Sequence, residues 1–138
     1  LVAGFLGTVL MTISKYIEIG ITKRGSSFTP AIILSRILRL QFEALSQRTK
    51  VALNYFTHFG YGILLGLLVP LLALVIDSKA ALVIVNGLIV WLQGLVVTPV
   101  LGSLPPPWKW GAKWVVIDAW HHFDLGISTA NIYLLLLP

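Results

Sequence analysis

Four long apolar stretches, near residues 1–20, 51–76, 82–104 and 114–137, dominate this sequence of 138 residues. A soluble core of this size cannot hide such runs, whereas a helix of about 20 apolar residues crosses a hydrocarbon layer. The last three stretches meet that length comfortably. The first lies near it, and the chain opens on Leu1 rather than Met, which leaves room for a preceding segment. Only 11% of the residues are charged, against about 25% in soluble domains. Inside a bilayer every backbone amide must be satisfied internally, and helices do this segment by segment. The expected fold is therefore all-α: a polytopic membrane protein, one domain over 1–138, with four transmembrane helices.

The connections support that division. Residues 1–20 have neither a basic leader nor a small-residue cleavage site, so a cleaved signal peptide is not expected. After Gly20 comes the polar turn ITKRGSS, and Thr29-Pro30 reads as an N-cap followed by proline at the first helical position. Over 30–46, Arg36, Arg39 and Glu43 share one helical side while Ile33, Ile37, Leu38, Phe42 and Leu45 cover the other. That pattern predicts one interfacial amphipathic helix. Asp77-Ser78-Lys79 joins the second and third spans, and Pro105-Pro106-Pro107 ends the third. Trp108, Trp110 and Trp114 then alternate with Lys109 and Lys113, a composition suited to the membrane–water boundary.

Charge orients the bundle. Lys15, Lys23, Arg24, Arg36, Arg39, Arg48, Lys50, Lys109 and Lys113 fall on one side, and Lys79 alone lies opposite, together the ten basic residues of the chain. The positive-inside rule then puts the long connections in the cytoplasm and both termini outside, as in a multi-pass protein of the cell membrane. The net charge of +5 is explained by this topology, so the basic loops should meet membrane lipids or partner subunits and not nucleic acid. With no cysteine, disulfides and thiolate ligands are excluded.

Ionisable groups within spans are costly, which singles out Glu18, His58, Asp118, His121, His122 and Asp124. Lys15 and Glu18, three residues apart, are placed to pair. His58 and His121 each lie seven residues into their spans, roughly 10 Å along the helix, and could approach one another if those helices are neighbours. On the fourth span Asp118, His121, Leu125, Ser128 and Thr129 form a polar face with Asp124 and Asn131 at its edge. Phe123, Ile127, Ala130 and Leu134 form the face expected to meet lipid. Asn54, His58, Tyr61, Gly62 and Leu65 are the inward stripe of the second span, and Asn86 and Gln93 share a side of the third. Trp91 and Trp120 are expected to contact lipid or a partner.

These residues admit three functions. Glu18, Asn86, Gln93, Asp118 and Asp124 can form a polar core closed by small residues, with Ala3 and Gly7, Gly62 and Gly66, and Gly87 and Gly94 as close-packing positions. Alternatively His58 with His121 or His122 can ligate haem, a chlorophyll-type pigment or a divalent metal, with His58, His121 and Asp118 as the metal set. Finally the same groups can line a proton or ion route, although the acidic ones gather toward one side. No phosphate-cradling loop, nucleophile elbow or dinucleotide fingerprint is present, so catalysis by the chain itself is not expected.

The opening LVAGFLGTVLMTISK and the later NYFTHFGYGILLGLL resemble the YagU-like group of small bacterial inner-membrane proteins, through Gly4, Gly7, Met11, His58, Gly62 and Gly66. The likeness covers about half of the chain. The tryptophan-rich approach to the fourth span and its HHFD depart from it. It implies a helical membrane protein and assigns no catalytic residue. Taken together, the sequence leads us to expect an accessory or structural subunit of a larger membrane complex.

Overall fold

The computed structural model describes residues 1–101 and 103–137, and all regular structure within them is helical. Helix α1 spans Val2–Thr22, α2 Thr29–Ile37, α3 Gln47–Leu65, α4 Leu68–Ala73, α5 Lys79–Val100 and α6 Ala112–Leu136. Short 3₁₀ turns at Phe42–Ala44 and Pro107–Lys109 lie in the two basic connections. Ser46 caps α3 by accepting the Thr49 amide at 3.2 Å, and Ser78 caps α5 by accepting that of Ala81 at 3.3 Å. Each side chain thereby satisfies a backbone donor that the first helical turn leaves unpaired.

The long second stretch is two helices. Pro70 has no amide hydrogen to give the Gly66 carbonyl, and its ring crowds that carbonyl, so the helix breaks between Leu65 and Leu68. Thr29 lies inside α2, one position later than an N-cap, while Ser27 Oγ accepts its amide at 3.1 Å. The helix expected over 30–46 also stops early. It ends at Ile37, Arg39 takes a left-handed φ of 56°, and Gln41 is extended. Ala31 and Ser35 are buried against α3 instead, so only a nine-residue helix remains of the amphipathic segment.

Helix α1 packs on both α3 and α6, and α6 packs on both α1 and α5, each pair antiparallel. The seams are made by small residues. A Cβ at Gly4 would lie 2.5 Å from the Gly62 carbonyl oxygen, and one at Gly66 only 2.7 Å from Gly4 Cα. Between α5 and α6, a Cβ at Gly126 would lie 2.6 Å from Gly87 Cα. Gly7 similarly admits Thr129 of α6, and Ala3 is buried beside it on α1. Within lipid, where burial of apolar area gives little net drive between helices, such close approach supplies the packing attraction. At the opposite end from the basic connections, Val69, Leu82 and Ala130 form an apolar core joining α4, α5 and α6.

This arrangement corrects the expected lipid face of α6. Ala130 is fully buried, Phe123 packs against Trp91 and Gly87, and Leu134 lies against the apolar core. Of that set only Ile127 is exposed; the open stripe runs instead through Val116, Trp120, Ile127 and Leu135. The cause is that α6 is flanked on two sides, by α1 and by α5. Among the described residues, three segments are long and apolar enough to cross a membrane: Val2–Thr22, Gln47–Ala73 and Lys79–Val100. The sequence led us to expect four. With 25 residues α6 is long enough, but Asp118, His121, His122 and Asp124 lower its apolar character and it is not one of the three.

Candidate functional site

The basic end of the bundle concentrates the polar side chains, and α1 divides them into two groups. Between α1 and α6, Glu18 is held by Arg24, whose Nη2 lies 2.5 Å and Nε 2.8 Å from Oε2. Thr22 Oγ1 donates to Oε1 at 2.7 Å. Lys23 turns the chain after α1 with a left-handed φ of 57°, and this brings Arg24 back over Glu18. The expected Lys15–Glu18 pair is therefore replaced by Glu18–Arg24. The reason is geometric, since the planar guanidinium offers a fork of donors that matches both carboxylate oxygens.

His121 reaches the same carboxylate from α6, with Nε2 at 3.4 Å from Oε2. A carboxylate only accepts, so this nitrogen carries the proton. Its Nδ1 is buried without a partner among the described residues. The neighbouring His122 turns toward α5. Its Nδ1 donates to the Asp118 carbonyl at 2.8 Å and lies 3.4 Å from Asp118 Oδ1. Its other edge sits over Gly94, where a Cβ would meet Nε2 at 2.5 Å. Gly94 thus provides the space for an imidazole. Asp118 also accepts from Trp91 Nε1 at 3.2 Å across the α5–α6 seam, so Trp91 is an internal contact rather than a lipid one. Trp120 is more exposed but donates to Ser14 Oγ of α1 at 2.8 Å.

The remaining polar residues also bridge helices or bond locally. Asn86 Nδ2 donates to the Gly126 carbonyl at 2.7 Å in the closest part of the α5–α6 seam. Gln93 accepts the Tyr61 hydroxyl from α3. Asp124 accepts from Ser128 at 3.1 Å, and Asn131 donates to the Ile127 carbonyl at 2.9 Å. Both of these last bonds stay within α6. Glu18 and Asp118 gather toward the basic end, whereas Ser128 and Asn131, farther along α6, bond to their own helix.

His58 belongs to the other side of α1. Its Nε2 is 3.0 Å from Thr12 Oγ1. That hydroxyl gives its single proton to the Thr8 carbonyl at 2.7 Å, so His58 Nε2 donates. Helices α3 and α6 make no extended contact among the described residues, because α1 packs on both. His58 and His121, placed at matching depth by the sequence, thus take different partners on α1. Among the described residues no group of three or more His, Asp or Glu side chains converges as a metal site, so His58, His121 and Asp118 are not gathered as one set of ligands.

Next to His58 lies a cavity of about 390 Å³ bounded by α1, the connection following it, and α3. Lys15, Asn54, Tyr55 and Ser26 line it. Asn54 Oδ1 accepts the Ala31 amide at 3.3 Å, which fixes the start of α2 over α3. The sequence indicated Asn54 only as an inward residue. Gly126 and Arg24 were not singled out as site residues, although a glycine beside the polar cluster of α6 and an arginine six residues after Glu18 were the available signals.

No family model matches the sequence, and no curated protein or solved structure is detectably similar to it.

Proposed function

We propose that this chain is a four-span accessory or structural subunit of a larger membrane protein complex. In this reading α6 is the fourth span, both termini are non-cytoplasmic, and the basic connections lie in the cytoplasm against anionic lipid headgroups. The observation that carries it is the division between used polar groups and unused apolar ones. Glu18, Asn86, Gln93 and Asp118 inside the bundle serve helix–helix contacts. By contrast Ile84, Leu88, Leu92, Val96 and Val100 leave an exposed apolar ridge along α5 at four-residue spacing. A span as polar as α6 is tolerated where neighbouring helices cover its charged groups, and α1 and α5 do so here. The likeness to YagU-like inner-membrane proteins is compatible with such a role and is itself a proposal.

Gentle solubilisation of the native protein, with its copurifying proteins identified and a photocrosslinker at Leu92, tests the subunit role. We expect one membrane partner in fixed ratio, crosslinked from Leu92 and not from the lipid-facing Leu135. A chain that purifies alone and crosslinks only to lipid would refute it.

One observation favours a second reading, in which the subunit carries a cofactor: the buried, unpartnered Nδ1 of His121. An absorption spectrum and elemental analysis of the same preparation discriminate. Stoichiometric iron or magnesium, lost in His121→Gln, would establish cofactor binding.

A further inference from the structure

Among the described residues, Lys15 forms no ion pair and its ammonium makes no hydrogen bond, because Arg24 has taken Glu18. It lies seven residues before the end of α1, roughly 10 Å into the helix, and lines the cavity beside His58. None of the described residues lining that cavity is acidic. An isolated cation at this depth is unfavourable unless something neutralises it.

Several of the other lining groups have a donor to offer. Asn54 is nine-tenths buried, with 9% of its surface exposed; its oxygen is occupied by Ala31 and its Nδ2 makes no hydrogen bond among the described residues. Tyr16 and Tyr55 bond to each other through their hydroxyls. One donates in that contact, which leaves the proton of the other available. Ser26 adds a hydroxyl from the connection. The donors therefore come from α1, α3 and the segment between them, so they surround a small volume instead of forming a planar fork. That disposition suits a tetrahedral oxyanion, with lysine as its compact counter-charge.

We infer that the cavity formed by Lys15, Asn54, His58, Ser26 and the Tyr16–Tyr55 pair binds a phosphoryl group at the basic end of the bundle. The phosphoryl group comes either from an anionic lipid headgroup or from a soluble phosphate. The volume of about 390 Å³ falls within the range of small-molecule sites. The site is independent of whether the chain serves as a subunit, because it uses none of the α5 ridge.

The test uses the full chain in phosphatidylcholine nanodiscs, with thermal unfolding followed by circular dichroism. Inorganic phosphate and short-chain phosphatidic acid are titrated separately. We expect a concentration-dependent rise in Tm, with apparent affinity weakened by about 10- to 100-fold in Lys15→Gln. Lys23→Gln, outside the cavity, should behave as the parent chain. Asn54→Asp keeps the acceptor for Ala31 but places a carboxylate in the cavity, and it should abolish the effect in a folded protein. Stabilisation by phosphatidic acid alone assigns the site to lipid; stabilisation by both probes assigns it to a soluble phosphate. No shift with either probe, or equal shifts in Lys15→Gln and Asn54→Asp, would overturn the proposal.

Discussion

The two sides of α1 solve the same problem differently. Toward α6, Glu18 is met by Arg24, Thr22 and His121, and the seam closes around a partnered charge. Toward α3, Lys15 faces a polar cavity with no acidic lining among the described residues. These charges stand three residues apart on one helix, and the turn at Lys23 decides which of them is neutralised. Proximity in sequence therefore did not determine pairing; the direction in which the chain leaves α1 did. The contrast separates a polar group used to hold helices together from one left available to a ligand.

Removing the partnered charge should have the largest effect. In Glu18→Gln, Arg24 remains in place without its counter-charge, and we expect a loss of about 3 kcal/mol, the scale for breaking a buried pair. Chemical denaturation in detergent micelles would measure it. The double variant Glu18→Gln/Arg24→Gln should recover much of the loss, and an additive result would show that the pair is not coupled.

Steric closure of the α1–α3 seam comes next. In Gly66→Ala the new Cβ meets backbone atoms of Gly4, which cannot rotate away, so we expect a cost of about 2 kcal/mol. Gly60→Ala meets nothing within 4 Å and should be neutral or slightly stabilising through helix propensity. Equal effects in the two variants would show that the seam is looser than described.

Removing Lys15 should act in the opposite direction from removing Glu18. Without added ligand, Lys15→Met should stabilise the fold by about 1 kcal/mol, because it removes a poorly compensated charge. A loss comparable to that of Glu18→Gln would reveal a partner for Lys15 and erase the contrast. The smallest effect is expected for Asn86→Leu. Its interhelical bond to the Gly126 carbonyl should contribute about 0.6 kcal/mol, the average for such bonds within membranes, and the same denaturation assay would resolve it against the parent.

The helical class and three long apolar segments were legible because runs such as 82–97, where Asn86 and Gln93 are the polar side chains, admit few alternatives. Breaks inside those runs were harder to read. Pro70 divides α3 from α4 without changing the hydropathy of the stretch, and the left-handed Arg39 ends a pattern that had the right periodicity for a longer helix. Periodicity also defines the faces of a helix without identifying what covers them. On α6 it set Asp118 and His121 apart from Phe123 and Ala130, yet Asp118 and Phe123 both meet Trp91 of α5 while His121 turns to α1, because that helix has two neighbours. Counting residues put His58 and His121 at one depth, but their partners on α1, Thr12 and Glu18, are six residues apart. That α1 would lie between their helices was not legible either.

Placement of α6 across the membrane decides whether its polar groups are internal contacts or surface features. The absence of cysteine from the sequence allows single cysteines to be introduced at Gly111 and Leu137, with an impermeant maleimide applied to each face of sealed vesicles. We expect Gly111→Cys to label from the cytoplasmic face and Leu137→Cys from the opposite face. Labelling of both from the same face would show that α6 does not cross, and the four-span arrangement would be wrong.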